Sequence, residues 1–220
     1  MREYRGVGIA YEDNHLLIAV KPPNMPTQAD ESGDPDLLTT MKDYVREVYA
    51  KPGAVYLGLV HRLDRPVGGV MVFARTSKAA GRLSEQMRDG RFAKRYRLLC
   101  QKAPVPPQGQ WEDTLFKDAG NLVRVVPAGT PGGKRAQLRY RTLQVYPGGQ
   151  ALCEVELLTG RAHQIRVQFA SRGCALVGDA RYGQGGRQLA LWSYQVAFDH
   201  PTQKTRLCFT QPPPPSLLLP

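Results

Sequence analysis

Long apolar runs are missing from this sequence. The longest, such as Leu16 to Val20 and Val70 to Ala74, are strand-sized, whereas a membrane-spanning helix needs about 20 such residues. Met1-Arg2-Glu3-Tyr4-Arg5 has no apolar stretch behind its charges, which argues against a secretory signal and for a cytoplasmic address. Cysteine is scarce: Cys100, Cys153, Cys174 and Cys208 are the only four. None has a partner at the spacing of a metal or redox motif, so they read as buried thiols in a reducing compartment. The four histidines, His15, His61, His163 and His200, also lack ligand spacing. No metal and no cofactor are expected.

Acidic residues are under-represented too. Nineteen Asp and Glu stand against 30 Lys and Arg, a net charge of +11. Such an excess attracts polyanions and is the electrostatic footprint of nucleic-acid binding. Its densest run is Arg88 to Arg97, where Arg91, Lys94, Arg95 and Arg97 are interleaved with Phe92 and Tyr96. Cations for phosphates beside rings that stack on bases suit RNA. Arg91, Lys94 and Arg95 are therefore candidate RNA contacts.

What is present in quantity is short apolar alternation broken by glycine and proline. Strands are expected at His15 to Val20, Val70 to Ala74, Tyr96 to Gln101, Leu138 to Val145, Ala151 to Leu158, Leu189 to Phe198 and Thr205 to Thr210. Pro147-Gly148-Gly149 signals a hairpin between the fourth and fifth of these. Helical spacing over Leu37 to Tyr49 places Leu37, Leu38, Met41, Tyr44, Val45 and Val48 on one stripe. Thr76 is suited to cap a second helix that closes at Gly90, and Thr159 a third that closes at Gly173. The fold class that follows is α+β: one domain over residues 1–211, a mainly antiparallel mixed sheet with flanking helices and a central cleft. Residues 212–220 are expected to form a proline-rich exposed tail.

Three short segments carry chemistry. His61-Arg62-Leu63-Asp64-Arg65 lies in an expected loop before a buried strand. A carboxylate between two arginines stays ionised and can act as a nucleophile or base, or simply form an ion pair. Thr159-Gly160-Arg161-Ala162-His163-Gln164-Ile165-Arg166 falls at a hairpin-to-helix junction, where backbone N–H groups favour an anion. Arg161, His163 and Gln164 are its candidate RNA contacts. In Lys94-Arg95-Tyr96, alternation along a strand directs Lys94 and Tyr96 to one face.

Taken in order, these segments resemble the RluA-type pseudouridine synthases. The resemblance rests on YEDNHLLIAVKPPNMPTQ from residue 11, HRLDRPVGGVMVFART, KRY at 94–96, TGRAHQIRVQ at 159–168, VGDARYG at 177–183 and FDHP at 198–201. It spans almost the whole chain and implies a pseudouridine-synthase catalytic domain that isomerises uridine in tRNA or rRNA after flipping the base out of its stack. It further implies that Asp64 is the catalytic aspartate, that Tyr96 packs on the target base, and that Arg166 pairs with the catalytic carboxylate. Arg62 and Arg65 would be RNA contacts beside it. The departures are Val67-Gly68-Gly69 where the family often has Thr-Ser-Gly, Gln168 for a histidine, and Trp192-Ser193 for His-Ala. The motif series begins near residue 11, so no RNA-binding module of the S4 type is expected before it, and a monomer is expected. Two other readings stay open: a non-catalytic RNA-binding protein, and a glycosidic-bond hydrolase using Asp179 as a second carboxylate, although a structural turn suits Asp179 better.

Overall fold

The computed structural model describes residues Met1 to Leu219 and divides the chain into two compact units. The first comprises Met1–Ala93 with Ser193–Gln211; the second comprises Lys94–Trp192 with Pro212 onward. The elements are β1 (Arg2–Tyr4), β2 (Val7–Glu12), β3 (Leu16–Lys21), α1 (Leu37–Val48), β4 (Gly58–Leu59), β5 (Gly68–Ala74), α2 (Ser77–Arg88), β6 (Ala93–Cys100), β7 (Gln108–Lys117), β8 (Val123–Val126), β9 (Lys134–Val145), β10 (Ala151–Leu157), α3 (Gln164–Ala170), β11 (Leu191–Asp199) and β12 (Arg206–Thr210), followed by a 3₁₀ turn at Pro215–Leu217. This is an α+β fold.

In the first unit the strand order is β1-β2-β3-β5-β11, with β12 on β11 and β4 on β5. The core strands β3 and β5 are buried at every position and pair antiparallel from Leu16–Ala74 to Lys21–Gly69. Leu16, Ile18, Val70, Val72, Val196 and Phe198 form the core on which α2 sets Ala79 and Leu83. Thr76 caps α2 as expected, its Oγ1 accepting from Ala79 N–H at 3.1 Å. Helix α1 has Asp36 in the same role, accepting from Thr39 N–H at 2.9 Å. Its apolar stripe is shorter than the spacing predicts, since Val48 is half exposed and Thr40 is buried in the stripe instead.

In the second unit the order is β6-β10-β9-β7-β8. The hairpin around Pro147-Gly148-Gly149 joins β9 to β10, with both glycines at positive φ. Helix α3 is shorter than expected and starts at Gln164. Thr159 does not cap it; its hydroxyl donates to the Gln164 side-chain oxygen at 2.8 Å. Strands β7 and β8 had no clear signal, because Gln108-Gly109-Gln110-Trp111-Glu112-Asp113 is too polar to read as a sheet strand. The tail is also corrected. Pro212, Pro214 and Pro215 are exposed, but Leu217 and Leu218 are buried. The Arg187 guanidinium donates to the Ser216, Leu217 and Leu219 carbonyls, so apolar burial and backbone hydrogen bonds hold the end of the chain down.

One glycine at the start of a core strand is required by its surroundings. Gly69, the second residue of β5, has φ +122, and a Cβ there would overlap the Ser193 backbone. Gly69→Ala should destabilise the protein by more than about 2 kcal/mol. Gly81→Ala should stabilise it by about 0.5 kcal/mol, since Gly81 lies inside α2 with open space around its Cβ position. Urea unfolding of the two variants beside wild type measures both signs.

Candidate active site

The loop between β4 and β5 carries Asp64, and its backbone is tied from beneath. Leu63 and Val67 are buried anchors on either side. The Thr27 hydroxyl donates to the Leu63 carbonyl at 2.7 Å and accepts from the Leu63 N–H at 3.3 Å. Val67 N–H donates to the Asp64 carbonyl at 2.9 Å, closing a turn across Asp64 to Val67. His61 is committed to structure: its Nε2 accepts from Val72 N–H at 3.0 Å, and its ring lies 5.7 Å from that of Phe92. On this frame Arg62 is exposed and Asp64 half-buried.

Lys21 ties the same loop and was not singled out from sequence. Its side chain is fully buried at the end of β3. The Nζ donates to three carbonyls, those of Met25 at 2.6 Å, Arg65 at 3.0 Å and Pro22 at 3.1 Å. Burial pulls its pKa down from 10.5 to about 7, the Asp64 carboxylate opposes that and Arg65 adds to it. The available signal was a lysine ending an otherwise unbroken apolar strand, Leu16-Leu17-Ile18-Ala19-Val20-Lys21.

Arg65, expected to face RNA, has acidic partners. Its guanidinium donates to the Asp34 carboxylate and to the Ser32 hydroxyl at 2.9 Å, with Asp30 at 3.8 Å. Arg91 likewise pairs with Asp89 at 2.9 Å and lies 3.6 Å from Asp199. Both are exposed ion pairs, in which local carboxylates already satisfy much of the arginine charge.

In the second unit Tyr96 stands on β6, buried and opposite Val155. Arg166 lies on α3, and the carboxylate that fixes its guanidinium is Asp179. Arg166 Nε donates to Oδ2 and Nη2 to Oδ1, each at 2.8 Å, and the two side chains are 7% and 0% exposed. Asp179 Oδ1 also accepts the N–H groups of Arg181 at 2.9 Å and Tyr182 at 3.0 Å. Burial alone would raise the Asp179 pKa; Arg166 and those N–H groups outweigh it and hold the carboxyl below its ordinary value. The Tyr182 ring stacks on the guanidinium at 5.2 Å, and its hydroxyl meets His163 Nδ1 at 2.7 Å. Asp179 is thus the structural turn residue the sequence suggested, with both carboxylate oxygens directed at this framework.

The junction before α3 is likewise occupied by the protein itself. His163 takes a left-handed backbone, φ 51. Gln164, expected to contact RNA, is buried. Its Oε1 accepts from Arg161 N–H at 3.0 Å and its Nε2 donates to the Gln137 carbonyl at 3.0 Å. It acts as an internal cap in place of a bound anion, because the loop folds back on its own N–H groups. Arg161 is exposed and donates to the Arg135 carbonyl at 2.9 Å. Lys94 is half-buried, and desolvation lowers its pKa. Arg95 is 41% exposed and faces Glu156 at 3.8 Å. Among the described residues no group of three or more His, Cys, Asp or Glu side chains converges. No helix among them is long and apolar enough to cross a membrane.

Two consequences can be measured. Because the folded-state pKa of Lys21 is depressed, the unfolded chain binds more protons between pH about 7 and 10.5, so stability rises across that window. Subtracting the unfolding free energies of Lys21→Met from those of wild type should give a difference that grows from pH 7 to 10 and is level below 7. The Asp179 carboxyl is held below its ordinary value, so its stabilisation is fully present above the ordinary pKa of 3.8 and is lost as pH falls below it. Asp179→Asn should cost about 3 kcal/mol at neutral pH and much less at acid pH, by the same measurement.

A family model for RNA pseudouridylate synthase matches residues 15–171. An uncharacterized RNA pseudouridine synthase of Bacillus subtilis is 32% identical over 203 residues, 90% of this chain and 66% of that protein. Chloroplastic RNA pseudouridine synthase 2 of Arabidopsis thaliana is 37% identical over 139 residues, 61% of this chain and 32% of that protein. Ribosomal large subunit pseudouridine synthase D of Zymomonas mobilis is 28% identical over 225 residues, 96% and 70% of the two chains. The chain therefore spans between about a third and 70% of the length of these relatives. Among solved structures, human RNA pseudouridylate synthase domain containing 4 has the same fold, with a TM-score of 0.78 at 20% identity over 96% of this chain and 90% of that one. The motifs, the fold and the matched span agree, and the chain belongs to the RNA pseudouridylate synthase family, whose RluA-type members its sequence resembles.

Proposed function

We propose that this protein is an RNA pseudouridine synthase that isomerises specific uridines in tRNA or rRNA. The observation that carries the reading is the braced turn at Asp64: a half-buried carboxylate on a loop held by Thr27 and Lys21, inside the matched family span. The isomerisation breaks the bond from uracil N1 to the sugar C1′ and forms one from C5 to the same carbon. The C5 proton leaves, and N1 ends protonated, so no oxidant, reductant or cofactor enters. Asp64 serves as the catalytic carboxylate, acting on a uridine extruded from its stack. Tyr96 packs on the released base. Arg166 is assigned the role of partner to the catalytic carboxylate during the reaction, with Asp179 as the residue that sets its orientation.

Relatives named as ribosomal large subunit synthases favour rRNA over tRNA, and a monomer in the cytoplasm is the simplest setting. Among the expected RNA contacts, Arg62, Arg161 and Arg95 retain that role in this proposal. Arg65 and Arg91 reach RNA only by exchanging their present carboxylates for phosphates, Lys94 and His163 act from positions near the base, and Gln164 is assigned to structure.

Tritium release from RNA labelled at uridine C5, using total rRNA and tRNA from cells lacking this protein, tests the reaction. Wild type should release label; Asp64→Asn should show no release above background while keeping RNA affinity within about 1 kcal/mol. Arg166→Met should lose about 100-fold in rate through misplacement of reacting groups. Release of free uracil instead would identify a hydrolase, and equal release by Asp64→Asn would remove Asp64 from the mechanism.

A further inference from the structure

The five-stranded sheet of the second unit has two unlike faces. On one, α3 covers an apolar cluster of Leu115, Val123, Ala136 and Val167. Strand alternation sends the other set of side chains to the opposite face, and there charge replaces apolar packing. The register lines these residues up in rows across β6, β10, β9 and β7. One row reads Arg97, Glu154, Arg141, Gln108; the next reads Arg95, Glu156, Arg139, Gln110. Arg95, Gln108, Arg139, Arg141, Glu154 and Glu156 line a trough of about 500 Å³.

Each row holds two arginines to one glutamate, so each keeps a net positive charge. Depth adds to the imbalance. The Glu154 side chain is 9% exposed, while its partners Arg97 and Arg141 are 34% and 60% exposed. Glu156 is 30% exposed and Arg95 41%. Arg139 donates to neutral Gln110 at 3.3 Å. The carboxylates thus form the floor, orient the guanidiniums from below, and leave the cations outermost. Successive rows on one face of a strand are about 6.6 Å apart, a spacing on which neighbouring phosphates of one strand can each meet a guanidinium fork. If the ladder only stabilised the sheet, opposite charges would balance across each row; here both of these rows have a surplus cation.

We propose that this face is a second RNA-docking surface, which holds the sugar–phosphate backbone of substrate RNA away from the nucleotide being modified. The inference rests on the RNA pseudouridine synthase reading, and its chemistry is non-specific: phosphate recognised by arginine, with sequence left to the catalytic residues.

Three proteins test it: wild type, the double variant Arg139→Gln/Arg141→Gln, and Glu156→Gln. Binding to a radiolabelled RNA hairpin is measured across a salt titration, and tritium release from labelled rRNA is followed in parallel. The double variant should bind about tenfold more weakly, with a salt slope shallower by about two. Glu156→Gln should bind several-fold tighter, because it removes a negative charge from the floor. Both should keep the wild-type rate at saturating RNA, with KM moving in step with affinity. Unchanged affinity and slope in the double variant, or weaker binding by Glu156→Gln, would overturn the proposal. A ladder that is only structural would lower the melting temperature of both variants without moving affinity in opposite directions. Should the double variant not fold, Glu156→Gln and the single variant Arg139→Gln, expected to bind about threefold more weakly with a salt slope shallower by about one, decide the matter. Failure of the catalytic reading would appear separately, as no tritium release by wild type whatever the binding data show.

Discussion

A lysine with no access to water holds the Asp64 loop in place. Taking an ammonium out of solvent costs on the order of several kcal/mol, and Lys21 offsets that by giving its protons to the carbonyls of Pro22, Met25 and Arg65. Two of those carbonyls belong to the turn that follows β3, and the third belongs to the residue after Asp64. The interaction therefore welds the end of a core strand to the loop that presents the carboxylate. Thr27 does the same one step earlier, reading both the N–H and the carbonyl of Leu63. A loop secured through its backbone leaves its side chains available for chemistry, which is how a reactive group can be both accessible and fixed.

The second unit uses the same strategy with different groups. Arg166 on its short helix is held by the Asp179 fork and the Tyr182 ring, and Asp179 is itself held by two backbone N–H groups. Such a buried pair is poor evidence for added stability. Its value is orientation: the Asp179 fork fixes the plane of the guanidinium. Gln164 completes the arrangement by capping the junction from within, so the left-handed His163 and the loop before it have a defined course.

Charge is distributed differently from what a count of arginines suggests. The +11 excess is partly spent in local pairs, as with Arg65 on Asp34 and Arg91 on Asp89. Exposed pairs of this kind contribute little to stability, yet they decide which cations meet phosphate without first displacing a carboxylate. The open face of the second unit retains its excess because its glutamates lie below its arginines.

Local patterns made much of this legible beforehand. Strands β3, β5, β9 and β10, helices α1 and α2, and the candidate residues Asp64, Tyr96 and Arg166 all stand in short-range signals: alternation, caps, a glycine turn, motif order. Strand β7 escaped because half of its residues face solvent and the rest are few and mixed, and α3 was drawn too long because Thr159 looked like a cap. What only the tertiary structure decided are the partners. Lys21 reaches Arg65 across 44 residues, Thr27 reaches Leu63 across 36, and Arg166 finds Asp179 across 13. A sequence declares which residues can donate, accept or carry charge, since that is chemistry local to each side chain. Which of them meet depends on strand register and loop course, and those are settled by burial of the whole core rather than by any one segment.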